Sequence, residues 1–256
     1  MKNPVCLFAT GVSFAFLAAA AAVQAADIRV FCSLPMRGPT AGLADTFSRE
    51  TSHRVEFVYG VSPDLIKRLT GGEAADVVVL PRGPFEDAVK TGRLVGGSRT
   101  EVGRIGVGVF VRAGAAAPDI STPDALKRAL LGADSLAFNQ RASGDHFAGV
   151  LERLGIAGEV KGKSRRPDVD AGVYEHIQKG KGKDLGIGTL SVIMVDGGKT
   201  VRLVGPLPAQ LQSYEPYTAA LTANSKSPDA GRAFIRFLTS PQTKATMAKR
   251  GADQAK

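Results

Sequence analysis

Short strand-like runs alternate with helix-like segments along nearly the whole of this 256-residue chain. That rhythm leaves few folds open. Ile28 to Phe31 is a β-branched and aromatic run, and Gly42 to Glu50 has helical spacing through Leu43 and Phe47. Arg54 to Tyr59 alternates as a strand, Pro63 to Leu69 repeats as a helix closed by Gly71-Gly72, and Asp76 to Leu80 reads as a buried strand. Pro84 to Lys90 is helical again. A βαβα order of this kind predicts a mostly parallel sheet with helices on both faces.

The second half repeats the pattern. Strands are expected at Ile105–Val111, Ser135–Phe138, Leu185–Gly188, Val201–Val204 and Tyr217–Thr222. Helices are expected at Pro123–Leu131 (with Thr122 as N-cap), Gly144–Leu154, Val173–Gln178, Pro228–Leu238 and Pro241–Arg250. The last two each open with Ser-Pro, a cap followed by a first helical residue that needs no N–H. No Pro/Ser-rich linker separates the halves. The expected architecture is α/β with two lobes, lobe one spanning 27–105 plus 208–256 and lobe two 106–207. The chain would cross between them near Gly103 to Gly108 and near Gly205 to Gln212.

The first 26 residues read as a leader. Lys2 precedes an apolar run from Val5 to Val23, and Val23-Gln24-Ala25 offers a small-residue cleavage site. Export to the periplasm is the expectation, with roughly 230 residues left in the mature chain. Cys32 is then the sole cysteine, so no intrachain disulfide can form; its place at the end of an apolar strand predicts a buried small hydrophobe. The formal charge is +9. Basic residues are scattered and aromatics few, which argues against nucleic acid and for attraction of small anions. The cluster Lys161-Gly-Lys-Ser-Arg165-Arg166 reads as a solvated loop.

Catalytic motifs are absent: there is no G-x-S-x-G, Walker loop, H-E-x-x-H or C-x-x-C. Gly103-Arg-Ile-Gly-Val-Gly108 runs into a strand and reads as structural. His53, His146 and His176 have no metal-ligand spacing, and no metal or cofactor is expected. What recurs is a hydroxyl residue opening a helix: Ser62-Pro-Asp, Thr122-Pro-Asp, Ser143-Gly-Asp, Ser227-Pro-Asp and Ser240-Pro-Gln. Free N–H groups and the helix dipole suit such ends to anions, although ordinary capping explains most of them. Ser62 and Ser143 stand apart because each follows a strand and opens a helix, the edge where open α/β sheets bind ligands.

The order of Ile28-Arg-Val-Phe31, Ser62-Pro-Asp-Leu65, Leu69-Thr-Gly-Gly72, Ala75-Asp-Val-Val-Val79, Val107-Gly-Val109, Pro118-Asp-Ile-Ser-Thr-Pro-Asp-Ala-Leu126, Leu185-Gly-Ile187 and Phe234-Ile-Arg-Phe-Leu-Thr-Ser-Pro241 resembles the periplasmic solute-binding proteins of ABC transporters with the type II fold. Within them it is similar to the molybdate-binding-like group. The resemblance covers essentially all of the mature chain. It implies a monomeric receptor that takes a small anion between its lobes and delivers it to a membrane permease.

For the site, the resemblance implies Ser62, Ser143 with Gly144 behind it, and a backbone donor near Ala171. The first-loop serine falls at or near Pro35, with Ser33 close by, and the tyrosine after the Leu-Gly-Ile strand is replaced by Thr189. Arg37, Arg82 and Arg141 lie on loops that could face the cleft, and arginine forks suit carboxylates. The expected ligand is therefore a molybdate-like oxyanion or a small organic acid. The same group also looks similar to a periplasmic isomerase acting on aconitate, which would need a base such as His146 or Asp145 beside the arginines.

Overall fold

A computed structural model describes residues 25–195 and 197–253; the leader expectation lies outside the described residues. The strands are β1 (Asp27–Ser33), β2 (Arg54–Gly60), β3 (Val77–Pro81), β4 (Thr100–Arg112), β5 (Ser135–Phe138), β6 (Ser164–Arg165), β7 (Asp184–Thr189), β8 (Val201–Pro206) and β9 (Tyr214–Leu221). Their order across the sheet is β2-β1-β3-β9-β4-β7-β5-β6, with β8 also paired to β4.

β4 organises the molecule. Its first part, Thr100 to Gly106, pairs with β9, and its second, Val107 to Arg112, pairs with β7 and β8. One strand thus serves both halves of the sheet. The β2-β1-β3 and β6-β5-β7 groups are parallel, as βαβ units require. The pairs made by β4 and β9 are antiparallel, so the sheet is mixed more evenly than the segment alternation implies. The glycines of β4 have a packing reason: a Cβ on Gly108 would lie 2.5 Å from the Leu190 side chain and 3.1 Å from the Gly205 carbonyl. Gln212 completes the crossing by bonding both ways to Val107, through N–H···Oε1 at 2.8 Å and Nε2–H···O at 2.9 Å.

Both faces of each parallel group are covered, which explains the continuous apolar runs. In the first half Val77 and Val79 pack with Ile28, Val30, Phe47 and Phe234 on one face. Val78 and Leu80 pack with Phe31, Leu65 and Phe85 on the other. In the second half Val109, Val111, Leu136 and Phe138 share a cluster with Phe147, while Phe110 and Ala137 pack against Val173 and Ile177. The C-terminal helices Pro228–Leu238 and Pro241–Ala248 send Phe234, Leu238 and Met247 into the first-half core.

Helix boundaries follow the sequence closely, with helices at Leu43–Thr51, Ser62–Thr70, Arg82–Lys90, Pro123–Gly132, Ala142–Arg153 and Asp170–Lys179. The helix Leu190–Val195 was not legible beforehand. Cys32 is fully buried, as its strand position predicts, and burial pushes its thiol far up. The basic cluster is less free than a solvated loop: Lys163 Nζ donates to the carbonyls of Leu131 and Ala133 at 2.6 and 2.7 Å, closing a helix end. No helix among the described residues is long and apolar enough to cross a membrane.

Candidate ligand-binding cleft

β1 and β2 run parallel, so their carboxyl ends and the helix after β2 meet at one edge of the first half. Ser33 closes β1 and is buried, and Ser62 opens the helix Ser62–Thr70. Their hydroxyl oxygens are 2.7 Å apart. Ser62 is the first helical residue and not the cap; Val61 takes the cap position in extended backbone and offers no side-chain bond. The Ser62 hydroxyl is thereby released from capping and directed to Ser33. Pro35 sits in the turn Leu34–Met36 and supplies only its carbonyl, which accepts from Ser191 Oγ at 2.7 Å. Of the two, Ser33 is the residue with a hydroxyl beside Ser62.

Arg37 is exposed, with its guanidinium 5.9 Å from the centre of the Tyr59 ring. Tyr59 shares a 2.8 Å hydrogen bond with Thr40, and burial pushes its phenol up to about 12. Arg82 is exposed too; its backbone N–H donates to Glu215 Oε1 at 3.0 Å.

At the corresponding carboxyl edge of the second half the organiser is Asn139, the residue after β5, which is 2% exposed. Its Oδ1 accepts from the backbone N–H groups of Arg141 at 2.9 Å and Gly144 at 3.1 Å. Its Nδ2 donates to Asp170 Oδ1 at 2.6 Å and approaches Ser143 Oγ at 3.2 Å. Ser143 is therefore the second residue of the helix Ala142–Arg153, and Arg141 takes the cap position. Asn139 thus takes the capping role, accepting the N–H groups of the cap residue Arg141 and of Gly144 in the first turn. Arg141 is exposed and its Nε donates to the Asp168 carbonyl at 3.0 Å. Asp170 and exposed Ala171 open the helix Asp170–Lys179, and Val169 before them offers no side-chain cap. Thr189 ends β7 opposite Val107 of β4, where the two halves join.

Asp170 has the distinctive electrostatics. Burial pushes its carboxyl up, and the Asn139 bond and the Arg141 charge only partly oppose this. A carboxyl whose folded pKa is raised is ionised more easily in the unfolded chain. Stability is then greatest below the unfolded value and is lost as pH rises through the folded value. Asp170→Asn removes that penalty while keeping an acceptor for Asn139. The variant is expected to be more stable than the parent at pH 7, with the gap closing as pH falls below about 4. Thermal melts across pH check this; a gap that widens on acidification would contradict it.

The two bases considered for isomerase chemistry each have one partner. His146 Nε2 lies 2.8 Å from the Leu211 carbonyl, so that nitrogen carries the proton and donates it. Asp145 is largely exposed and forms a 2.5 Å ion pair with Arg166. Among the described residues no cluster of His, Cys, Asp or Glu could hold a metal ion.

The structure thus joins Ser33 to Ser62 in one half, and Arg141, Ser143 and Gly144 through Asn139 in the other, with Asp170 beside them. Sequence reasoning passed over Asn139 and Asp170. The available signal was an Asn directly after a strand and an acidic residue in a helical first turn, both common enough to be read as local capping.

Solved structures share this fold. The substrate-binding domain of a putative molybdenum ABC transporter from Clostridium difficile superposes with a TM-score of 0.76 at 17% identity, covering 91% of this chain and 100% of that one. The periplasmic molybdate-binding protein of Azotobacter vinelandii gives 0.70 at 18%, covering 90% and 100%. At these identities the likeness defines the fold, that of the two-lobed binding proteins. The sequence profile of the bacterial extracellular solute-binding proteins matches residues 28–253, and the chain belongs to that family. It is also similar to an aconitate isomerase from a Pseudomonas species, 29% identical over 226 residues that cover 86% of this chain and 85% of the relative.

Proposed function

We propose that the chain is the substrate-binding component of an ABC-type transporter, exported to the periplasm, where it closes as a monomer around one small organic acid and passes it to a membrane permease. The observation that carries this reading is the hydroxyl pair of Ser33 and Ser62 at the carboxyl edge of one half, matched in the other half by a strand–helix junction that Asn139 holds. In this reading lobe one is 27–105 plus 208–256 and lobe two 106–207. The division of β4 between two sheets and the separate hydrophobic clusters support it. Closure would bring the Ser62 and Ser143 helix ends towards the same anion, with Gly144 seating its helix on Asn139, Ala171 contributing a backbone N–H group, Thr189 at the floor, and Arg37 and Arg141 at the rim.

Ser62→Ala is expected to weaken anion binding by about 1.5–3 kcal/mol, the range for a hydrogen bond to a charged group. Calorimetric titration of parent, Ser62→Ala and Ser143→Ala measures it. If both variants bind like the parent, the site is elsewhere.

A second reading, an isomerase on the same scaffold, is favoured by the relative that acts on aconitate. Its acid/base residue would be Asp170, whose carboxyl burial raises, or His146, whose Nδ1 stays open among the described residues while Nε2 donates to Leu211. Incubation with cis- or trans-aconitate and product analysis separates the two: turnover lost in Asp170→Asn supports the enzyme, and recovery of unchanged ligand supports the receptor.

A further inference from the structure

Val61 and Val169 are poorly suited to the positions they hold. Each is the cap residue of a helix, Ser62–Thr70 and Asp170–Lys179, in extended backbone and with no side-chain bond to the first turn. Ser, Thr, Asn or Asp stabilises that position, and valine is among the weakest choices there. The other described helices of eight or more residues take Gly, Pro, Thr, Arg or Ser. Burial does not compensate: Val61 is 43% and Val169 44% exposed, and Leu34 is 41% exposed. Each of the three adjoins a site residue, Leu34 after Ser33, Val61 before Ser62 and Val169 before Asp170. A local rule broken with no packing gain is expected at functional positions. Leu34 and Val61 also share one edge. β1 and β2 end in register at Ser33 and Gly60, so these two are the next residues out, beside the 2.7 Å contact of the Ser33 and Ser62 hydroxyls. Arg37, three residues beyond Leu34, is exposed and adds the positive charge that suits an acid.

We propose that Leu34 and Val61 form an apolar ledge beside the Ser33–Ser62 hydroxyls and select organic acids by their carbon skeleton, favouring an unhydroxylated acid over its hydroxylated counterpart. The inference rests on the reading of the cleft as the ligand site and deepens it. An acid that sets one carboxylate on the two hydroxyls lays its adjoining carbons over Leu34 and Val61. Methylene or alkene carbons there take apolar surface out of water on both partners. A hydroxyl on the same carbons loses its water and finds no hydrogen-bonding group on either side chain. Tricarballylate and citrate isolate the effect, because they share one skeleton and three carboxylates and differ by a single hydroxyl. Charge does not separate them.

The test is calorimetric titration of the mature chain, a Leu34→Ala/Val61→Ala double variant and Ser62→Ala with tricarballylate and citrate. The parent is expected to bind tricarballylate about tenfold or more tighter than citrate. The double variant is expected to lose about tenfold in tricarballylate affinity, the worth of roughly two methylene groups taken out of water, and so to narrow the gap between the two acids. Without ligand it is expected to melt within about 2 °C of the parent, because both side chains are exposed; a larger fall would give the pair a structural role and overturn the proposal. Equal affinity of the parent for the two acids, or parent-like tricarballylate affinity in the double variant, also overturns it, even where Ser62→Ala is impaired and the cleft reading stands. A parent chain that binds neither acid overturns the proposal and the cleft reading together.

Discussion

Gly144→Ala is expected to cost the protein on the order of 3 kcal/mol or more and to abolish ligand binding. Gly144 is the third residue of the helix Ala142–Arg153 and is buried against the turn that leaves β5. A Cβ there would collide with the Asn139 carbonyl oxygen and stand 2.6 Å from Asn139 Oδ1 and 2.7 Å from the Asn139 carbonyl carbon. Two of those atoms are backbone, so no rotamer change relieves the contact. Overpacking of this kind costs about 1–3 kcal/mol and sometimes more. Here the displaced residue also holds the Arg141 and Gly144 N–H groups and the half-buried Asp170 carboxyl. For a chain of this size the melting temperature is expected to fall by roughly 6–12 °C. Differential scanning calorimetry with a paired titration reads both effects. A variant that melts with the parent would show that the helix does not seat on Asn139.

Phe234→Ala is expected to lower stability by about 3–5 kcal/mol, the range for a buried aromatic cut to alanine, while sparing the affinity of the folded fraction. Phe234 is fully buried. Its ring lies 5.1 Å from Phe47 and 5.7 Å from Phe57, both near edge-on. Phe47 comes from the helix Leu43–Thr51 and Phe57 from β2, so one side chain of the penultimate helix bonds the end of the chain to its beginning. None of the candidate binding residues belongs to this aromatic cluster. Denaturant unfolding gives the stability loss, and titration below the melting range gives the affinity. A loss under about 1 kcal/mol would mean that the C-terminal helix is peripheral to the first-half core.

The fold was legible wherever local pattern and tertiary environment agree. Asp76 to Leu80 reads as a buried strand, and the strand runs from Val77 to Pro81. Thr122 and Ser240 cap their helices through Ala125 and Thr243 as their Ser/Thr-Pro openings predict. The same signature misleads at Ser62 and Ser227, where distant partners prevail. Ser62 turns to Ser33, and the loop before Ser227 is held by Asp76, whose Oδ1 accepts from Ser225, Lys226 and Ser227. The helix Leu190–Val195 escaped because Leu-Ser-Val-Ile-Met-Val shows no polar face over six residues. Its packing against β4 and the Ser191–Pro35 bond, which spans 156 residues, tie it in place. The candidate site was half legible for the same reason. Ser62 and Ser143 stand at strand–helix junctions that a linear reading can find. Asn139 and Asp170 acquire their roles only from neighbours on other elements.

The central claim is that one small organic acid binds between the lobes on the Ser33–Ser62 hydroxyl pair. Calorimetric titration of the mature chain and of a Ser33→Ala/Ser62→Ala double variant with trans-aconitate and citrate tests it most directly. The account requires saturable binding of at least one of these acids, one molecule per chain, weakened at least tenfold in the double variant. Saturable binding that survives unchanged without both hydroxyls, or no binding of either acid by the parent chain, would contradict it.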